Sequence, residues 1–159
     1  MKKLLLAAAS AALLTGAPAA PASADIGIRE TRTADLFVRA ERPTGTQMGR
    51  EALAFWNPSV PKGEKLKVVR GGAKESANLD RMFSAGKTYD LLSVTGRAAG
   101  APQIAGSAMS VRFLAKMAGI PSLDTTYFFA REDGLWKLDV KRYVNANPEL
   151  KKMAWRWSY

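Results

Sequence analysis

Three groups of residues in this chain have types that could do chemistry, and the first is carboxylate. Asp80, Asp90, Asp124, Asp133 and Asp139 could supply a general acid–base pair, or oxygen ligands for calcium or magnesium. None is clustered with another at metal-ligand spacing. Asp80 reads equally as a solvated helix residue, Asp133 as a turn residue and Asp124 as a turn or cap residue. The second group is Ser84-Ala85-Gly86-Lys87, which spells the S-x-x-K in which lysine activates a serine nucleophile. That chemistry needs serine and lysine one turn apart on a helix, whereas Gly86 reads as the end of one. No K-T-G or S-D-N element accompanies it.

The third group is basic and aromatic. Lys137, Lys141, Arg142 and Tyr143 are followed by Lys151, Lys152, Trp155, Arg156, Trp157 and Tyr159. Cations beside aromatic rings suit an anionic partner that also offers apolar or stacking surface. Lys151, Lys152, Trp155, Arg156 and Trp157 therefore form the candidate binding patch. Helical spacing also puts Leu150, Met153 and Trp157 on one face, which would make the tryptophans core and the lysines merely solvated. The alternation of Trp155, Trp157 and Tyr159 is similar to the terminal signal of an outer-membrane barrel. The chain upstream lacks the alternating strands of about ten residues that a barrel needs.

Composition removes whole classes of mechanism. With no cysteine there is no disulfide framework, thiol nucleophile, thiolate metal ligand or lipid-modified cysteine. With no histidine there is neither a Ser-His-Asp triad nor a histidine metal site, and no cofactor is expected. The N-terminus reads as an export signal: Lys2 and Lys3, an apolar run from Leu4 to Leu14, then Gly16, Pro18, Pro21 and the small-x-small site Ala22-Ser23-Ala24. The run is short of the ~20 apolar residues that span a bilayer, and no later run approaches that length. Residues 1–24 are thus expected to be a cleaved signal peptide, and 25–159 one small domain that is periplasmic or secreted. Of 24 basic residues, removing Lys2 and Lys3 leaves 22 against 14 acidic, a net charge of +8. That charge favours an anionic envelope component, such as a lipid headgroup, lipopolysaccharide or glycan, and it also serves solubility. No nucleic acid partner and no integral membrane segment after cleavage are expected.

The elements that must position these groups read as follows. Residues 26–41 could supply a strand ending at Leu36-Phe37-Val38 or a short first helix, and lean to the strand. Met48, Ala52, Phe55 and Trp56 recur at helical spacing over 46–56, with Thr44 or Thr46 to cap and Asn57-Pro58 to stop. Valine-rich 65–70 reads as a strand, 76–85 as a helix capped by Ser76, 88–95 as a strand and 96–106 as a long surface loop. Residues 109–117 alternate perfectly and read as a strand, although Gly119 and Pro121 would also end a helix. The strand 125–131, the Asp133-Gly134 turn, and Trp136, Leu138 and Val140 form the clearest hairpin. Asn147-Pro148-Glu149 opens a C-terminal helix. The sum is α+β, an antiparallel sheet with a C-terminal β-hairpin packed by two or three short helices.

Tyr127-Phe128-Phe129-Ala130-Arg131-Glu132-Asp133-Gly134-Leu135-Trp136-Lys137-Leu138 resembles the closing hairpin of the nuclear transport factor 2-like (cystatin-like) superfamily. Gly49-Arg50-Glu51-Ala52-Leu53-Ala54-Phe55-Trp56 is similar to the helix-opening segment of its polyketide-cyclase-like branch. The resemblance covers these two stretches. It implies a curved sheet cupped around helices and enclosing a pocket, in which the family's enzymes work with an aspartate, histidine or tyrosine.

The reading favoured by these observations is a non-catalytic binding or envelope-accessory protein. The alternative is a cone-shaped pocket enzyme using an aspartate or tyrosine for proton transfer, with Asp90, Tyr89 and Asp139 as candidates. Export is directly testable: N-terminal sequencing of secreted material should begin at Asp25, and a mature protein that keeps Met1 and pellets with membranes would contradict the cleaved signal.

Overall fold

The computed structural model describes residues 24–159, so the predicted leader lies outside the described residues but for Ala24. The chain begins with a very short β1 (Ile26–Gly27) and two 3-10 helices, Ile28–Glu30 and Thr33–Leu36, where the sequence suggests a longer strand. Local carboxylates explain the difference. Glu30 accepts from the Gly27 amide at 3.0 Å and Asp35 from the Arg32 amide at 2.7 Å, which turns the backbone on itself before a ladder can form.

Helix α1 (Gly45–Trp56) forms where the periodicity places it. Thr44 and Gln47 exchange side-chain to backbone hydrogen bonds at 3.2 and 2.9 Å, satisfying two groups at the helix start. The predicted strand 65–70 is instead α2 (Lys62–Lys67). Pro61 precedes it, and Lys67 pairs with Glu64 across one turn at 2.7 Å. Of the predicted strand only Val69 pairs with the sheet: Leu138 donates to the Val68 carbonyl and Arg70 to the Leu138 carbonyl, giving one parallel bridge between Val69 and Leu138. Helix α3 (Ser76–Gly86) follows as expected, except that Glu75 occupies the cap position in place of Ser76.

A six-stranded antiparallel sheet curls over these helices. Its strands are β1, β2 (Val94–Ala98), β3 (Gln103–Ala105), β4 (Ala108–Met117), β5 (Ile120–Glu132) and β6 (Leu135–Leu138). The spatial order is β1-β2-β4-β5-β6, with β3 pairing β4 at residues 108–110. The predicted strand 88–95 starts only at Val94, because the Asp90 carbonyl accepts both the Ser93 amide and its hydroxyl and winds 91–93 into a 3-10 turn. The predicted loop 96–106 yields its ends to β2 and β3. Strand is the outcome for 109–117, and its alternation sets the fold. Met109, Val111, Phe113 and Ala115 face the helices, across the register from Phe129, Tyr127, Thr125 and Leu123.

Helices α4 (Val140–Ala146) and α5 (Pro148–Lys151) close the domain. Asp139 caps the first through the Arg142 amide at 3.0 Å, and Asn147 caps the second. The expected C-terminal helix therefore starts correctly but lasts one turn. Trp155 donates its indole N–H to the Leu150 carbonyl at 2.7 Å, and beyond Met153 the chain is extended. The fold is α+β with the expected C-terminal hairpin, and among the described residues it carries five α-helical segments rather than two or three.

Two of the hairpin turns place a pair of left-handed residues in sequence. Asp133 (φ 53°) and Gly134 (φ 73°) join β5 to β6, while Ala118 (φ 50°) and Gly119 (φ 79°) join β4 to β5. Alanine pays a steric penalty there that asparagine does not. Ala118→Asn should stabilise the protein by about 0.5–1 kcal/mol, and Gly134→Val should destabilise it by ~1 kcal/mol or more. Denaturant melts of the two variants check both signs.

Candidate functional site

At one end the inner face of the sheet does not meet the helices, and an open cavity of about 490 Å³ remains. Its walls come from four directions. Leu53 and Trp56 project from α1, Met82 and Gly86 from α3, Phe113, Ala115 and Tyr127 from the sheet, and Tyr143 and Leu150 from α4 and α5. Ala115 contributes a small side chain to this lining, among larger ones. Gly96 is paired with Ala115, and a Cβ on Gly96 would stand 2.5 Å from the Phe113 ring, so the ring can lie across β2 only above a glycine.

The floor is an aromatic hydroxyl cluster. Tyr127 and Tyr143 are stacked with centroids 4.8 Å apart and planes 6° from parallel, and Phe113 meets Tyr127 edge-on at 5.6 Å. The Trp56 indole N–H donates to the Tyr127 hydroxyl at 2.7 Å. Burial pushes the Tyr127 phenol well above its ordinary range; the adjoining Tyr143 adds to the rise, and the Trp56 hydrogen bond offsets part of it. Burial also raises Tyr143, against hydrogen bonding from Tyr127, Thr125 and Asn147. Both phenols stay neutral near pH 7, so they offer hydrogen bonds inside an otherwise apolar space and no base.

The carboxylates singled out from the sequence lie elsewhere. Asp80 is paired with Lys62 at 2.8 Å, Asp124 with Arg112 at 2.7 Å and Asp133 with Lys137 at 2.9 Å, all at the surface. Asp90 is exposed. Asp139 is engaged by the Arg142 amide and by Arg70 at 2.9 Å, and holds the start of α4. Ser84 and Lys87 are exposed at the end of α3, joined by a backbone hydrogen bond from the Lys87 amide to the Ser84 carbonyl. Of the proton-transfer candidates Tyr89, Asp90 and Asp139, only Tyr89 borders the cavity, 59 % exposed at its mouth. Glu149 is the one carboxylate-bearing residue on the lining, and it pairs with Lys152 at 2.8 Å. Among the described residues no cluster of acidic side chains has metal-binding geometry.

The basic and aromatic group is largely consumed internally. Lys141 reaches the Tyr159 carbonyl, Arg142 lies 4.2 Å from the centre of the Phe128 ring, and Tyr143 is the buried partner of Tyr127. Trp155 and Trp157 do not share a helical face with Leu150 and Met153. They stack on each other at 5.4 Å, half-buried along an extended strap, while Lys151, Lys152 and Arg156 stay exposed. The strap is pinned by the first turn of α3. Asn78 donates to the Arg156 carbonyl at 2.7 Å and accepts its amide at 3.2 Å, and fully buried Glu75 accepts both the amide and the hydroxyl of Ser158.

A curled antiparallel sheet over helices, with a largely apolar open cavity and two tyrosines at its floor, defines the class as a small α+β domain with a pocket. Residues 41–145 match the family model described as the C-terminal domain of the low molecular weight antigen MTB12, and the chain belongs to that family. The match covers α1 through most of α4 and leaves out β1, α5 and the strap. No curated protein and no solved structure matches the chain.

Sequence reasoning missed Trp56, Tyr127 and Tyr143 as a unit, since they are far apart in the chain. It also missed two buried charges. Lys65 donates to the Asn57 carbonyl at 2.7 Å and lies 4.6 Å from the Phe83 ring centre, and burial lowers its amine to about 8. Glu51 on α1 is 2 % exposed, and neither carboxyl oxygen has a hydrogen-bond partner. Burial raises its carboxyl well above the usual range, so it is held protonated in the fold. The unfolded chain loses that proton near pH 4.3. Stability is therefore full below that pH and declines as pH rises toward the folded value, on the order of 1 kcal/mol per pH unit. Between pH 5 and 7.5 the wild-type stability should fall, and Glu51→Gln should flatten the profile; equal slopes in denaturant titrations would contradict the protonated carboxyl.

Proposed function

We propose that this chain is an exported, non-catalytic binding protein that holds the apolar part of a small molecule in the cavity beneath the curled sheet. The observation that carries the reading is the cavity itself: about 490 Å³, open to solvent, walled by aromatic and aliphatic side chains, with two neutral phenols at its floor. Ligand sites commonly have this size and make-up. Export is supported by the signal-type N-terminus and by membership in a family named for an antigen. Among the described residues no helix is long and apolar enough to cross a membrane. An anionic envelope component as partner is supported by the net charge of +10 for the whole chain. The resemblance to the nuclear transport factor 2-like superfamily draws its support from the curled sheet and the cavity beneath it.

The alternative, a pocket enzyme moving a proton, draws on Tyr127 and Tyr143, which could donate hydrogen bonds to a developing oxyanion. It lacks an inward base, because the aspartates proposed for that role lie at the surface or cap α4. Binding is the simpler use of this geometry.

The test is titration with the neutral fluorescent probe N-phenyl-1-naphthylamine. Wild type should bind it with enhanced fluorescence. Ala115→Leu, which extends a cavity-lining side chain into the open space, should weaken binding about tenfold, equivalent to ~1.4 kcal/mol, with little change in melting temperature. Failure of the wild type to bind, or equal binding by the variant, would remove the cavity as a ligand site.

A further inference from the structure

The inner face of the β4–β5 hairpin does not end where the helices stop covering it. Register places Leu123 opposite Ala115 and Ile120 opposite Met117, so these four side chains share the face that lines the cavity and continue it outward. Ile120 at the tip is 69 % exposed and Leu123 is 37 % exposed, and Tyr89 stands at the same mouth. Large apolar side chains grouped at the edge of a cavity are rarely left in water without use.

Positive charges stand beside this rim, together with the exposed carboxylate of Asp90 next to Tyr89. Lys87 directly follows the cavity-lining Gly86 at the end of α3, and Lys151 follows the lining Leu150 on α5. Both are exposed, and neither enters an ion pair among the described residues. The lining's one carboxylate, Glu149, is already neutralised by Lys152. Exposed apolar and aromatic side chains flanked by unpaired lysines are the combination that seats a protein in the headgroup region of an anionic bilayer.

We propose that the cavity mouth, led by Ile120 and Leu123 on the hairpin tip, docks on an anionic lipid surface through the flanking Lys87 and Lys151. The inference rests on the cavity reading for its purpose, since docking in this orientation turns the opening toward the acyl chains. It moves the membrane contact away from the stacked tryptophans of the strap, whose rings are engaged with each other.

Vesicle co-sedimentation of the chain from Asp25 onward, which holds every described element, tests it. Vesicles of mixed phosphatidylglycerol and phosphatidylcholine should bind the protein at low ionic strength and release it as salt rises, and pure phosphatidylcholine should bind at least tenfold less. Ile120→Ser should lower binding to the anionic vesicles at least fivefold, and Lys87→Gln/Lys151→Gln should do the same. Lys74→Gln/Arg156→Gln, which touches neither the lining nor an ion pair among the described residues, should leave binding within twofold. No binding to anionic vesicles at low salt, wild-type binding by Ile120→Ser, or loss only in the Lys74/Arg156 variant would overturn the docking surface. So would a dimer in vesicle-free solution that Ile120→Ser dissociates, because the tip would then be covered by a second copy of the chain. Ile120 is outside the cavity lining, so Ile120→Ser should bind N-phenyl-1-naphthylamine as wild type does. Probe binding without vesicle binding tells against the docking surface alone, and vesicle binding without probe binding tells against the cavity.

Discussion

Phe113 lying across Gly96 is the contact on which the rest of the structure turns. The ring can occupy that place only because β2 offers no Cβ beneath it, and from there it meets Tyr127 edge-on. Tyr127 stacks on Tyr143 and accepts from Trp56, so one aromatic chain joins β2, β4, β5, α4 and α1. On one side of Phe113 the inner face carries Met109, Val111, Phe129 and Trp136, and the core is filled. On the other side Ala115, Met117 and Leu123 line the open cavity. Filled core and cavity thus share one pleated surface.

Polar groups inside the fold play unequal parts. Glu75 and Asn78 are buried with their partners in place, and they convert a short C-terminal peptide into a fixed strap. A satisfied buried network of this kind specifies one arrangement and resists others. Glu51 has no partner and is kept by burial in its neutral form, a destabilising choice on a helix that also supplies Leu53 and Trp56 to the cavity. Lys65 is intermediate, with one carbonyl to donate to and one aromatic ring beneath it.

The positive charge is distributed with more structure than its total suggests. Several cations in the strap region and along the sheet are spent on internal contacts: Arg70 lies 4.8 Å from the Tyr159 ring centre and pairs with Glu132 and Asp139, and Arg97 and Lys116 share Asp25. Other cations, Arg42, Lys74 and Arg156 among them, are exposed and in no ion pair among the described residues, as Lys87 and Lys151 are beside the cavity. Membership in the antigen-named family fixes ancestry for residues 41–145, while the argument for a ligand comes from the cavity.

What the sequence by itself determined is whatever depends on neighbours within a few residues. The α1 helix, the α3 helix, the alternating strand at 109–117 and the Asp133-Gly134 hairpin all follow from periodicity, caps and turn residues, and together they establish an α+β fold. The absence of cysteine and histidine likewise removed whole mechanisms from composition alone. Short segments escaped this reading because local hydrogen bonds decide them: Glu30 and Asp35 wound a would-be strand into turns, and the Lys67–Glu64 pair accompanies a helix where valines suggested a strand. The site was the least legible part. Tyr127 was visible as a strand residue and Tyr143 as a member of a basic run, but their stacking, and the Trp56 hydrogen bond that completes the cluster, join positions as much as 71 residues apart. Only the tertiary structure could bring them together, because the curl of the sheet, and the absence of a Cβ at Gly96 that admits the Phe113 ring, decide where side chains meet.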